Sequence, residues 1–107
     1  MSDFAILDRL HALANERKAA DPSSSYVAKL HSRGVGKIAQ KVGEEGLETA
    51  LAAVSEGRDA VVSESADLLF HLTILWSHLD IPPAEIMQAL ESREGTSGLA
   101  EKAARGD

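Results

Sequence analysis

Residues 36–79 have the sequence GKIAQKVGEEGLETALAAVSEGRDAVVSESADLLFHLTILWSHL, and this stretch decides the fold. Its first part predicts a helix over 36–55, with apolar residues at helical spacing and Gly57 just past its end. Its second part predicts a helix over 59–79 that is apolar around most of its circumference, which is typical of a central, covered helix. The link between the two is short, so we expect antiparallel neighbours. The side chains expected on the buried side of the first of these helices are Ile38, Val42, Ala50, Leu51 and Val54.

Three more helices are predicted around this pair. The first covers about 3–20, and a short second one covers about 24–32, after a group of serines that are possible N-caps. Pro82 and Pro83 open a last helix that reaches about Glu94. No alternating pattern is long enough to predict a strand. We therefore predict an all-α fold, a helical bundle of four to five helices that dimerisation completes.

Composition supports a single all-helical domain over residues 1–107. Hydrophobic residues make up 44% of the chain but aromatic residues only 4%, so the core must consist of Ala, Leu, Val and Ile. Such a core favours helices over a sheet. A domain of this size buries a modest fraction of its surface, and a second copy of the chain would extend its core. We therefore expect a homodimer.

Charge and residue usage exclude several classes of function. The net charge is −6 and the basic residues form no run, so nucleic acid is not an expected partner. The absence of cysteine removes disulfides, thiolate zinc sites and cysteine nucleophiles. There is no signal-like N-terminus and no apolar stretch long enough for a bilayer, so we expect a cytoplasmic protein with no membrane contact.

Acidic residues recur on both central helices. Glu44, Glu45 and Glu48 share one stripe of the first, because they are three or four residues apart. Glu64 and Asp67 lie three apart on the nearly apolar second helix, where a carboxylate needs a partner or a cation. Antiparallel packing brings both sets to similar depth, and all-oxygen ligation predicts Mg²⁺, with Mn²⁺ as the alternative. A solvated acidic face is the alternative for the first helix taken alone.

Three segments also resemble a known family: SYVAKL at 25–30, GVGKIAQKVGEEGLE at 34–48 and ESADLLFHL at 64–72. Over about 7–105 the chain resembles the phosphoribosyl-ATP pyrophosphohydrolases, all-helical nucleotide-binding enzymes that perform the second step of histidine biosynthesis. The resemblance implies hydrolysis of phosphoribosyl-ATP to phosphoribosyl-AMP and pyrophosphate. It also implies that the five carboxylates bind one or two Mg²⁺ ions and that these ions bridge the triphosphate.

Given this resemblance, further roles can be assigned to charged residues near the acidic stripe. Glu45 or Glu48 is the candidate general base, taking a proton from the attacking water. Lys37 and Lys41 are the candidates for binding phosphate, because each is a turn or less from the stripe. Lys41 serves equally well as a structural partner for Glu44 and Glu45.

The remaining substrate-binding candidates are Ser25, Tyr26, Arg33, Lys102 and Arg105. Tyr26 has a core position as its alternative, and the three basic residues have ordinary solvated charge as theirs. His71 lies four residues after Asp67, and we expect it in the core or beside a ligand, because magnesium disfavours imidazole.

Two other functions compete with this hypothesis. One is a pyrophosphohydrolase of another nucleoside triphosphate, which a panel of substrates would distinguish. The other is a non-catalytic helical interaction domain with a solvated acidic stripe, and the pair Glu64 and Asp67 inside an apolar helix speaks against it.

Overall fold

A computed structural model describes residues 5–95 together with 102, 105 and 106. The α-helices of residues 5–95 are α1 (Ile6–Glu16), α2 (Tyr26–Arg33), α3 (Val35–Ser55), α4 (Arg58–His78) and α5 (Pro83–Arg93). These residues contain no strand, which confirms the all-α prediction. The predicted start of the first helix lies outside the described residues. Its predicted end is too late, because a 3₁₀ turn at Arg17–Ala19 replaces the last α-helical turn.

Helices α3 and α4 form a long antiparallel hairpin, and they make the most extensive helix pair in the fold. The turn needs Gly57, whose φ of 126° is a conformation that other residues rarely adopt. Ile38 and Ile74 lie eighteen residues before and after Glu56, so they face each other at one height. Both are buried to 1% exposure or less. Burying each isoleucine stabilises the fold by about 2–3 kcal/mol.

The core lies where α1 and α2 cover this hairpin. It consists of Ala14, Leu30, Ile38 and Ile74, with Val27, Phe70 and Leu75 packed at its edge. Ser25 caps α2 as predicted for this group of serines, because its Oγ accepts a 3.1 Å hydrogen bond from the backbone N–H of Ala28.

The predicted buried side of α3 is partly wrong. Ile38 is buried and Val42 half-buried, but Ala50, Leu51 and Val54 are exposed, Val54 to 81%. The inward side instead follows a seven-residue spacing through Ile38, Glu45 and Ala52. That spacing returns a residue to the same side of a helix after two turns.

Helix α4 is also less covered than predicted. His71, Thr73, Ile74 and Ser77 are buried, yet Val62 is 61% exposed and Leu69 45% exposed. Together with α3 this leaves an apolar surface on the hairpin, made of Leu47, Leu51, Val54, Val62 and Leu69. We call it the hairpin apolar face. No described helix has the length and apolar character that crossing a membrane requires.

Candidate active site

Three carboxylates converge between α3 and α4. Glu45, Glu48 and Glu64 each offer an oxygen within 4.8 Å of the others, and we call them the carboxylate cluster. Glu48 and Glu64 lie eight residues before and after Glu56, which puts them at the same height of the antiparallel hairpin. Glu45 is buried, Glu64 is half-buried and Glu48 is exposed, so the cluster opens to solvent at Glu48.

The cluster has the electrostatics of a cation site. Burial raises the pKa of Glu45, and contact with Glu48 raises it further. Contact with Glu48 is the main cause that raises the pKa of Glu64, followed by burial. The Oε2 atoms of Glu45 and Glu64 are buried and have no hydrogen-bond partner among the described residues. Unpaired, mutually repelling carboxylate oxygens are the donor set that hard divalent cations such as Mg²⁺ take, so these residues fit the predicted metal.

Glu44 lies outside the cluster. Its Oε2 accepts a 2.8 Å hydrogen bond from Gln40, and its Oε1 lies 3.3 Å from Nζ of Lys41. The hydrogen bond from Gln40 is the largest cause that lowers the pKa of Glu44, and Lys41 adds to it. Glu44 is therefore held by its own helix, and Lys41 has the structural pairing that was one of its two predicted roles.

Asp67 lies beside the cluster without joining it. It follows Glu64 by almost one turn of α4, and it stands eleven residues after Glu56, as Glu45 stands eleven before. Its charge helps to raise the pKa of both Glu45 and Glu64. The structure thus brings three of the five predicted carboxylates together and leaves the other two at the border.

A basic cavity adjoins the carboxylates. It has a volume of about 190 Å³ and is lined by Tyr26, Lys29, Leu30, Arg33, Lys37 and Lys41. An open groove of about 680 Å³ continues from it, lined by Pro22, Ser23, Ser24, Ser25, Tyr26, Lys29, Ser32 and Arg33. The cavity contains four of the chain's eleven Lys and Arg residues. Such a concentration of positive charge suits a phosphorylated ligand.

Sequence reasoning placed Lys37, Lys41, Arg33, Ser25 and Tyr26 at the substrate, and the structure puts each of them at the cavity or the groove. Lys29 was missed. The signal for it was its position four residues before Arg33, which places both on one face of α2. Lys102 and Arg105 are exposed, and the cavity and groove are lined by other residues of the described chain.

Tyr26 connects the basic cavity to α4. Its hydroxyl lies 2.8 Å from Nε2 of His71, whose Nδ1 lies 2.8 Å from the backbone oxygen of Asp67. Burial raises the pKa of the Tyr26 phenol, and the positive charge of Lys41 opposes that rise. Tyr26 is 48% exposed, so its side chain belongs to the cavity wall and not to the core.

The chain matches the family profile of phosphoribosyl-ATP pyrophosphohydrolase over residues 7–94. It belongs to the phosphoribosyl-ATP pyrophosphohydrolase family. It is 57% identical over 105 residues to the phosphoribosyl-ATP pyrophosphatase of Novosphingobium aromaticivorans, with 98% of each chain covered. It is 56% identical over 101 residues to that of Azospirillum brasilense, with 94% of this chain and 91% of the relative covered. A third such relative, from Parvibaculum lavamentivorans, is 53% identical over 106 residues, covering 99% and 97%.

Membership in the phosphoribosyl-ATP pyrophosphohydrolase family makes the chain a phosphoanhydride hydrolase. The alternative of a non-catalytic interaction domain is therefore not supported. The carboxylate cluster and every residue that lines the basic cavity lie within the matched stretch, whereas Lys102 and Arg105 lie beyond it.

Proposed function

We propose that this protein hydrolyses phosphoribosyl-ATP to phosphoribosyl-AMP and pyrophosphate, the second step of histidine biosynthesis, in a Mg²⁺-dependent reaction. The observation that carries the proposal is the carboxylate cluster beside a basic cavity, in a chain of this family. A phosphoanhydride with a bound cation needs this combination, because acidic oxygens hold the metal and basic side chains hold the phosphates. Lys41 lines the cavity and lies 3.3 Å from Glu44, the sequence neighbour of Glu45, which supports one site for the phosphate-binding groups and the cluster.

Glu45, Glu48 and Glu64 are the residues that would hold Mg²⁺ directly, with Mn²⁺ as the alternative ion. Glu44 and Asp67 stand at the border and complete the proposed set of five. When bound, the ion supplies charge stabilisation for the phosphates and lowers the pKa of a coordinated water.

Glu45 and Glu48 are the proposed general bases. Glu48 is exposed and touches both other members of the cluster, so its carboxylate is open to water and to substrate. Glu45 is buried, and burial and the neighbouring Glu48 raise its pKa; a bound Mg²⁺ would oppose that rise and keep the carboxylate ionised, as a base requires. Either carboxylate would accept the proton of the attacking water and release it after the phosphoanhydride is cut.

The basic cavity supplies the groups for the substrate's phosphates. Lys41 lies at its border with the carboxylates, since it pairs with Glu44 at 3.3 Å. Lys37 lies one turn before Lys41 on α3 and lines the same cavity. We assign both lysines to the triphosphate, with Ser25 and Tyr26 at the ribose or the neighbouring phosphate. The tail residues Lys102 and Arg105 remain predictions from the sequence.

The test is the release of pyrophosphate from phosphoribosyl-ATP with and without Mg²⁺, comparing wild type with Glu48→Gln and Asp67→Asn. We expect metal-dependent release and a loss of at least about a hundredfold in the Glu48 variant. Glu56→Gln is the matched control, because Glu56 is exposed at the far end of α3. Release without Mg²⁺ would contradict the metal assignment, and turnover of another nucleoside triphosphate alone would contradict the substrate.

The proposal also includes a homodimer and a cytoplasmic location. The dimer is supported by the hairpin apolar face, because large apolar patches on a small protein mark interaction sites. The location remains a prediction from the sequence.

A further inference from the structure

Two cations of α2 occupy the junction of the cavity and the groove. Lys29 and Arg33 both line the cavity of about 190 Å³ and both line the groove of about 680 Å³. They are four residues apart, so their charges share one helix face and repel each other. Neither space has an aspartate or a glutamate among its described lining residues. An anion at the junction would offset this repulsion.

The direction of α2 shows that this pair lies away from the carboxylates. Tyr26 at the start of α2 bonds to His71, and His31 near its end bonds to His78. Helix α2 therefore runs in the same direction as α4, from the side of Asp67 toward the C-terminal end. At a rise of about 1.5 Å per residue, Arg33 lies about 10 Å beyond Tyr26 along the helix.

Helix α3 carries the other two lysines that line the cavity. It runs antiparallel to α4, so Lys41 stands near the height of His71 and Lys37 stands further from the carboxylates. Cations thus follow one another outward from the cluster, first Lys41, then Lys37 and Lys29, and finally Arg33. The two ends of this row are suited to two separate anions on one ligand.

We propose that Lys29 and Arg33 form a second anion subsite, which binds the phosphate of the phosphoribosyl group on the substrate's base and selects phosphoribosyl-ATP over ATP. This inference rests on the proposed function. Phosphoribosyl-ATP carries a triphosphate at one end and this additional phosphate at the other, and ATP lacks the second. The planar guanidinium of Arg33 suits bidentate binding of a phosphate, and Lys29 adds a point charge.

The volumes of the cavity and the groove agree with a substrate whose different parts bind in each. A cavity of about 190 Å³ is smaller than the roughly 300–1,000 Å³ typical of sites for whole small-molecule ligands. It therefore suits a phosphate-bearing part of the substrate. The groove of about 680 Å³ is within that range, so it has room for the part of the substrate that the cavity cannot hold. A ligand that reaches from the cluster to Arg33 would use both.

The experiment measures kcat and KM for phosphoribosyl-ATP with Mg²⁺ in wild type, Lys29→Ala, Arg33→Ala and Arg33→Lys. It also measures the inhibition constants of ATP and of ribose 5-phosphate against the same reaction. We expect each alanine variant to lower kcat/KM by about 10- to 100-fold, mainly through KM, because a charge-assisted phosphate contact is lost. Inhibition by ribose 5-phosphate should weaken in parallel, while inhibition by ATP stays unchanged. Arg33→Lys should lose less of kcat/KM than Arg33→Ala, because lysine keeps the positive charge.

Arg58→Ala is the matched control, because Arg58 starts α4 at the opposite end of the hairpin and does not line either space. Circular dichroism melting would confirm that the exposed-site variants fold. An equal loss of affinity for ATP and for ribose 5-phosphate would overturn the inference, since the pair would then bind the triphosphate. Unchanged kinetics in both alanine variants would also overturn it while leaving the proposed function intact. Absence of phosphoribosyl-ATP turnover in wild type would instead show that the proposed function had failed.

Discussion

The Tyr26 hydroxyl donates a 2.8 Å hydrogen bond to Nε2 of His71. The direction of this bond follows from the other side of the ring. Nδ1 of His71 lies 2.8 Å from the backbone carbonyl of Asp67, which only accepts, so in the neutral imidazole Nδ1 carries the proton and Nε2 carries the lone pair. Tyr26 is thereby fixed to the turn of α4 that bears Asp67.

Tyr26→Phe should therefore weaken both folding and substrate binding. The substitution removes the donor and leaves Nε2 of the buried His71 unpaired, which costs about 1–3 kcal/mol. We expect this loss in the free energy of unfolding, measured in urea, and a rise in KM of several-fold with a smaller change in kcat. Ser92→Ala is the control, since the Ser92 hydroxyl bonds to the backbone oxygen of Ala89 in its own helix and Ser92 lines neither the cavity nor the groove. A Tyr26→Phe protein as stable as wild type would show that the hydrogen bond contributes nothing.

Local signals made the helices predictable. Gly57 fixed the link between α3 and α4, and the prolines at 82 and 83 fixed the start of α5, so the predicted bounds of α3 and α4 differ from the observed ones by at most a residue. The convergence of three of the five predicted carboxylates, Glu45, Glu48 and Glu64, was predictable for the same reason, because three- and four-residue spacing on helices places side chains on one face. Antiparallel pairing then brings Glu48 and Glu64 together.

Contacts between distant segments were not predictable. Tyr26 and His71 are 45 residues apart, and no spacing rule connects them. Lys29 was missed because the cavity forms only when α2 packs beside α3. Leu51 and Val54 were assigned to the core because periodicity identifies an apolar stripe without showing which partner covers it.

Mg²⁺ should raise the melting temperature of the wild-type protein. A ligand at a hundred times its Kd stabilises a fold by about 2.7 kcal/mol, which corresponds to several degrees or more for a domain of this size. Glu64→Gln removes one charge from the cluster, so it should raise the melting temperature without Mg²⁺ and reduce the increase that Mg²⁺ produces. Scanning calorimetry of both proteins, with Glu16→Gln on α1 as the control, would measure this. Equal responses to Mg²⁺ in all three would remove Glu64 from the metal set.

The stability of the fold should fall in mild acid because of His31. Its Nδ1 lies 3.0 Å from Nδ1 of His78, and its Nε2 lies 3.0 Å from the backbone oxygen of Ala14. Burial lowers the pKa of His31 from its ordinary 6.5; the Ala14 carbonyl opposes this, and His78 and Lys18 add to the lowering. Below pH 6.5 the His31 ring therefore binds a proton more readily in the unfolded chain than in the folded chain.

The contribution of His31 is thus fully present above pH 6.5, and it is lost as the pH falls through the lowered pKa of the folded state. Urea denaturation at a series of pH values between 5 and 8 should show this decline, and NMR titration of the His31 ring would locate the folded-state pKa. His31→Asn should flatten the dependence between these values. A variant with the same pH dependence as wild type would assign the decline to other groups.

The hairpin apolar face predicts how the chain associates. Leu51 of α3 and Leu69 of α4 are half-exposed on the two helices that also carry the carboxylates. Leu51→Lys and Leu69→Lys would each put a charge into an interface between two copies, so both should shift sedimentation from a dimer toward the 11.4 kDa monomer. Leu90→Lys is the matched control, because Leu90 is 55% exposed on α5 and is not among the five residues of this face. Dissociation by the control alone would place the interface on α5, and a monomeric wild type would contradict the dimer altogether.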